Sequence, residues 1–120
     1  MALILIVEDE VFVLRNAEGL MEDLGHETLA AGDVDEAIEH LSAPVVINAL
    51  FVDMRLRDAA LGGYEVADRA IVLQPDVRVL YTSGTPLTAE MSDRFVPGGH
   101  FLQKPYSQQQ LETSVERLLR

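Results

Sequence analysis

The sequence contains no cysteine, and it has only nine lysine and arginine residues against twenty aspartate and glutamate residues. The absence of cysteine excludes disulfide scaffolds, thiolate metal sites and cysteine nucleophiles. The formal net charge of −11 argues against a DNA- or RNA-binding surface, which needs a basic patch. We therefore expect no direct contact with nucleic acid. The excess carboxylates either keep the surface solvated or converge in part on a metal ion.

Long hydrophobic runs are also missing. The apolar run at the start, Leu3–Val7, is far too short to span a membrane. The first residues lack the basic flank and long apolar region of a signal peptide, so we expect a cytoplasmic protein without membrane contact. The 120 residues, 48% of them hydrophobic, suit a single domain over residues 1–120 with one core, and they leave no room for an output domain.

Apolar, β-branched runs alternate with stretches of helical period, which predicts an α/β fold with a parallel sheet. The first run has no polar alternation and is typical of a central strand buried on both faces. The predicted strands are 3–7, 26–30 (near an edge), 45–52, 77–81 and 100–103. The first predicted helix ends before Gly25, and Asp33 can cap a second that reaches about Leu41. Two more helices are predicted at 64–73 and 86–95, and Ser107 can cap the last one.

Polar side chains follow four of these strands, namely Glu8 and Asp9, Asp53, Thr82 and Lys104. In an open parallel sheet, ligands bind beyond the carboxyl ends of the strands, so these ends build one pocket if the strands are neighbours. Carboxylates held close together need a cation, and their hard oxygens suit Mg²⁺.

We expect the chemistry of such a pocket to be phosphoryl transfer. Asp53 is the candidate nucleophile, because a carboxylate can itself accept a phosphoryl group. Lys104, the only lysine in the chain, can hold one phosphoryl oxygen as a point charge, and the Thr82 hydroxyl can hydrogen-bond another.

Each of these residues also has a plainer interpretation. Glu8, Asp9 and Glu10 can be acids that favour a helix start, and Asp53 can be an ordinary residue at the end of a strand. Thr82 can belong to a simple turn. Their joint occurrence at the strand ends favours the pocket.

Five motifs in the same order resemble those of the response-regulator receiver domain of two-component systems. They are LIVEDE at 5–10, FVDMRL at 51–56, GYEVA at 63–67, VLYTSG at 79–84 and FLQKPY at 101–106. The resemblance covers the whole chain. It implies a flavodoxin-like, doubly wound α/β fold with a five-stranded parallel sheet in the order 2-1-3-4-5 and helices on both faces.

The resemblance also implies a metal site and a phosphoacceptor. Asp9 and Asp53 would bind Mg²⁺ directly, Glu8 would act mainly through water, and the backbone carbonyl of Arg55 would be a further ligand. Asp53 would accept the phosphoryl group, and Lys104 would be the family's lysine.

The remaining implied roles concern switching and docking. Thr82 would be the switch hydroxyl and Phe101 the switch aromatic, which turns inward when Thr82 moves. Pro105 would follow Lys104 through a cis peptide bond. The apolar residues Val11, Phe12 and Leu14 exceed what the inner face of the first helix needs, so we expect them, with Pro105, to dock the phosphodonor.

The resemblance implies a phosphorelay signalling domain that assists its own phosphorylation and dephosphorylation rather than an enzyme with external substrates. Its phosphodonor would be a histidine kinase or histidine phosphotransfer protein, and its target would be an unidentified downstream protein. Its oligomeric state would be a monomer or weak dimer. Two alternative functions fit the sequence less well. A Mg²⁺-dependent phosphatase would need an aspartate where Arg55 stands, and a degenerate receiver used only for binding would lack key residues that this chain has. A stand-alone regulator and a receiver from a hybrid kinase both remain open.

Two features of the chain depart from the family pattern. Arg57 stands where a proline is usual, and the loop to Gly63 is about two residues longer. Arg55 and Gly84 occupy the positions that tune hydrolysis of the phosphoryl group, and they give no prediction of its lifetime.

Overall fold

The structure is a computed structural model that describes residues 1–57 and 59–120. These residues form five strands and five helices that alternate along the chain. The strands are β1 (Leu3–Val7), β2 (Glu27–Ala31), β3 (Ala49–Asp53), β4 (Arg78–Ser83) and β5 (His100–Gln103). The helices are α1 (Val11–Asp23), α2 (Val34–Ser42), α3 (Gly62–Leu73), α4 (Ala89–Asp93) and α5 (Gln108–Leu119).

All strands pair in parallel in the order β2-β1-β3-β4-β5, which confirms the predicted doubly wound fold. Successive side chains of a strand point to opposite faces of the sheet, so β1 feeds two cores. Leu5 and Val7 belong to the core with α2 and α3, whereas Ile4 and Ile6 belong to the core with α1 and α5. Burial on both faces explains why β1 has no polar alternation, and the more polar β2 lies at the predicted edge.

The predicted start of the third strand is wrong. The strand begins at Ala49 rather than at residue 45, and Val45 and Val46 are exposed. The side-chain amide of Gln74 donates a hydrogen bond of 2.8 Å to the Val45 carbonyl, which holds this segment as a loop. Propensity alone favoured a strand here, but no strand among the described residues pairs with Val45 or Val46.

Two further predicted boundaries, those of the third and fourth helices, differ from the structure. Gly62 and Gly63, predicted as a loop, form the first residues of α3. The fourth helix is only five residues long. It begins after Thr88, whose side chain caps it by accepting a hydrogen bond from the Met91 amide, and it ends at Asp93. Within the part of the chain that the structure describes, no helix is long and apolar enough to cross a membrane.

Candidate functional site

The carboxyl ends of β1, β3, β4 and β5 meet at one edge of the sheet. Glu8 and Asp9 follow β1, Asp53 is the last residue of β3, and Lys104 follows β5. Asp53 is the register partner of Thr82 on β4. The structure therefore brings together the polar residues that the sequence placed at four separate strand ends.

Carboxylate oxygens of Glu8, Asp9 and Asp53 lie within 4.8 Å of one another. All three offer hard oxygen ligands, which fit Mg²⁺. The ammonium of Lys104 donates to Glu8 Oε1 at 2.6 Å and to Asp53 Oδ2 at 2.9 Å. Lys104 thus neutralises part of the charge that the clustered carboxylates would otherwise carry.

Burial and the hydrogen bonds of Lys104 together set the electrostatics of this cluster. Glu8 and Asp53 are only 4% and 9% exposed, and for Glu8 this burial disfavours the charged form. Burial raises the pKa of Glu8 to about 7, although the hydrogen bond from Lys104 acts in the opposite direction. Burial acts to lower the pKa of Lys104, but its hydrogen bonds to Glu8 and Asp53 outweigh that effect and raise it. Lys104 therefore stays charged beside the two carboxylates.

Backbone amides also support the carboxylates. The Glu10 amide donates to Glu8 Oε2 at 3.2 Å, and the Arg55 amide donates to Asp53 Oδ1 at 3.2 Å. Asp9 pairs with a different cation, since the guanidinium of Arg57 lies 3.9 Å from Asp9 Oδ2. The carbonyl of Arg55 remains only a predicted metal ligand.

The start of α3 packs directly on the end of β3. The Gly63 amide donates to the Met54 carbonyl at 3.1 Å. A Cβ atom at Gly63 would lie 2.5 Å from Met54 Cα and against the Asp53 carbonyl oxygen. Glycine is required at this point because the helix approaches the backbone of Asp53 so closely.

The Thr82 hydroxyl points to the neighbouring strand. It is 3% exposed and donates a hydrogen bond of 2.7 Å to the Leu102 carbonyl of β5. Phe101 is half-buried, and its ring lies 6.3 Å from that of Phe95. Phe95 in turn stacks on Tyr81 at 4.0 Å, so the predicted switch aromatic borders a stack of rings.

An apolar cavity of about 300 Å³ lies beside Lys104. Its lining residues are Phe12, Val13, Asn16, Lys104, Pro105 and Tyr106. Val11 and Phe12 are 55% and 84% exposed, and Lys104–Pro105 is a cis peptide bond as predicted.

The predicted exposure of Leu14 is wrong. Leu14 is half-buried and packs against the core between the sheet and α1. It precedes the buried residues Ala17 and Met21 by three and seven positions, which places all three on the inner face of the helix.

Comparison with known proteins gives the family. The family model described as the response regulator receiver domain matches residues 4–116. The chain is a member of the response-regulator receiver family. A solved response regulator receiver protein from Sinorhizobium medicae is 30% identical, with a TM-score of 0.88, and the match covers 98% of this chain and 94% of that one.

Two curated proteins are also similar to this receiver domain. Nitrogen assimilation regulatory protein NtrX of Azorhizobium caulinodans is 31% identical over 117 residues, which are 97% of this chain and 26% of the relative. Nodulation protein W of Bradyrhizobium diazoefficiens is 28% identical over 119 residues, which are 95% of this chain and 49% of the relative. The chain thus spans about a quarter and about half of these relatives.

Sequence reasoning missed three features of this receiver domain. It noted Arg57 as a departure from the family but did not predict its position beside Asp9. It treated Gly63 as a loop residue, and it placed Phe95 at the end of a helix without giving its ring a packing role. The adjacent pair of glycines after a phosphoacceptor candidate was the available signal for a close helix–strand approach.

Proposed function

We propose that residues 1–120 form a receiver domain that accepts a phosphoryl group on Asp53 in a two-component phosphorelay. The observation that carries this proposal is the contact of Lys104 with both Glu8 and Asp53, beside Asp9. These are the groups that the transfer needs: a nucleophile, ligands for a cation, and a fixed positive charge.

The chain's own residues would act as follows. An oxygen of Asp53 attacks the phosphorus of a phosphohistidine, and a P–O bond forms as the P–N bond breaks. The electron pair of the broken bond leaves with the imidazole nitrogen. Lys104 exchanges its contact with Asp53 for one with a phosphoryl oxygen, and the Thr82 hydroxyl leaves the Leu102 carbonyl to donate to another.

Glu8, Asp9, Asp53 and the Arg55 carbonyl would hold Mg²⁺, which when bound offsets the negative charge of the transferring group. Reversal of the same arrangement with water in place of imidazole would let the domain assist its own dephosphorylation. The movement of Thr82 would free the space into which Phe101 turns, which alters the surface near β5 for a downstream protein.

The mass of the intact protein tests the acceptor. After incubation with acetyl phosphate and Mg²⁺, we expect the wild type to gain one phosphoryl group and Asp53→Asn to gain none. Asp93→Asn, which removes an exposed aspartate of α4, is the matched control and should react as the wild type does. Labelling of Asp53→Asn at the wild-type level would disprove the assignment, and labelling that persists in EDTA would disprove the role of the cation.

We propose that the phosphodonor, a histidine kinase or histidine phosphotransfer protein, docks on Val11, Phe12 and Pro105 next to the cavity beside Lys104. Phe12→Ala should slow transfer from the donor severalfold and leave labelling by acetyl phosphate unchanged. Val72→Ala is the control, because Val72 is 74% exposed but lies on α3. Equal transfer rates in the two variants would contradict this surface.

We propose that the domain works in the cytoplasm as a monomer or weak dimer. The formal net charge of −11 supports the further proposal that it makes no direct contact with nucleic acid.

A further inference from the structure

Arg57 gives the site a second cation, which the proposed phosphotransfer does not use. Its guanidinium lies 3.9 Å from Asp9 Oδ2, whereas both ion pairs of Lys104 go to Glu8 and Asp53. Among the described residues, Arg57 is therefore the cation paired with Asp9. The three carboxylates and two cations leave the cluster with a single net negative charge when all of them are ionised.

We infer that Arg57 is a positioning residue that holds Asp9 in the metal-free receiver and competes with the divalent cation for that carboxylate. The inference rests on the proposed function, since it assumes that Glu8, Asp9 and Asp53 hold the cation. A cation that binds Asp9 competes with the guanidinium for this carboxylate and meets the repulsion of its positive charge. Arg57 thus lowers the affinity of the site for Mg²⁺.

The two cations of the cluster differ in how easily they can leave. The Lys104 side chain is 22% exposed and makes two short ion pairs, so it stays in place. The Arg57 side chain is 74% exposed and makes one longer ion pair. Because Arg57 can move into solvent without leaving a buried charge unpaired, it is the replaceable counter-cation.

The loop holds Arg57 close to Asp9. Leu56, which precedes it, is 2% exposed and exchanges two backbone hydrogen bonds of 3.1 and 3.0 Å with Ala59. The backbone that leads into Arg57 is therefore anchored to the core, although the side chain is free to move. A proline at this position, as is usual in the family, would offer no cation to Asp9.

Calorimetric titration of the full chain with Mg²⁺ tests the inference. Exposed ion pairs are weak, so we expect Arg57→Gln to lower the Kd for Mg²⁺ by roughly two- to fivefold. Arg57→Lys keeps the charge and should stay near the wild type. Arg69→Gln removes an exposed cation of α3, one that has no ion pair among the described residues and no role in the proposed site, and should give a clearly smaller change. The gain in Arg57→Gln should shrink in about 0.5 M salt, which screens exposed charges.

Nuclear magnetic resonance gives a second readout that does not depend on phosphorylation. The side-chain Nε–Hε signal of Arg57 should shift during the Mg²⁺ titration with the same midpoint as the backbone amides of Asp9 and Asp53. If Arg57→Gln and Arg69→Gln bind Mg²⁺ equally well, the inference is overturned while the proposed function stands. If the wild type binds no Mg²⁺, both are overturned.

Discussion

Replacement of Gly63 by alanine should disturb the fold at the phosphoacceptor itself. The added Cβ atom would lie 2.5 Å from Met54 Cα and against the Asp53 carbonyl oxygen. These are backbone atoms, which cannot rotate away as the end of a side chain can. Overpacking of this kind costs up to about 3 kcal/mol, and the gain from alanine over glycine in a helix is at most about 1 kcal/mol. We expect a net loss of about 2 kcal/mol.

That loss converts to a shift of the melting temperature. Unfolding entropy is about 2.1 cal/mol/K per residue, or about 0.25 kcal/mol/K for 120 residues. Gly63→Ala should therefore melt about 8 °C below the wild type by circular dichroism. Because the clash involves Asp53, the amide signals of Asp53 and Met54 should also shift, and labelling by acetyl phosphate should slow.

Two other glycines provide graded controls. A Cβ atom at Gly62, one position earlier, would meet side-chain atoms of Ala59 and Leu56 at 3.1 Å, so Gly62→Ala should lose less stability. A Cβ atom at Gly84 would have no described atom within 4 Å, so Gly84→Ala should melt within about 2 °C of the wild type. If Gly63→Ala melts as Gly84→Ala does, the reasoning from close approach is refuted.

Three further perturbations test the packing around the site. Tyr81→Phe removes the hydroxyl that accepts a hydrogen bond from the Val96 amide at 3.0 Å, so urea denaturation at neutral pH should show a loss of about 1 kcal/mol. Burial raises the pKa of Tyr81 from 10.0 to about 12, so its contribution to stability is complete below pH 10.0 and is lost as the pH rises toward about 12. The wild type should therefore lose more stability than Tyr81→Phe over that range, and parallel losses would count against this cause. Thr82→Ala leaves the Leu102 carbonyl without its 2.7 Å donor and should cost about 1 kcal/mol, whereas Thr82→Ser should stay near the wild type; equal losses would show that the hydroxyl contributes nothing. Phe95→Ala removes the ring stacked on Tyr81 at 4.0 Å and should speed hydrogen exchange of the α4 amides more than those of α5; a uniform change would contradict a local role.

Local chemistry predicted the helix caps and the central strand correctly. The side chains of Asp33 and Ser107 accept hydrogen bonds from the Glu36 and Gln110 amides, as expected of capping residues. The apolar run of β1 predicted burial on both faces of the sheet, and β1 contributes residues to the core on each face. These features depend on residues within a few positions of one another, so the sequence contains the information directly.

The sequence also placed the candidate site at the strand ends, and family resemblance supplied the order of the strands. What it could not supply is which cation meets which carboxylate. Lys104 lies 96 residues from Glu8 and 51 from Asp53, so their contacts depend on strand order and register together.

Tertiary structure alone decided three features: the exposure of Leu14, the start of β3 and the pairing of Arg57 with Asp9. Leu14 is half-buried because it packs against the core beside the sheet. The segment before β3 is a loop in which the Val45 carbonyl accepts a hydrogen bond from the Gln74 amide. Arg57 lies beside Asp9, whereas Lys104 pairs with the neighbouring carboxylates. The sequence by itself determined the elements and the chemistry at their ends. Only packing decided the partners, because contact between residues far apart in the chain is a property of the assembled fold.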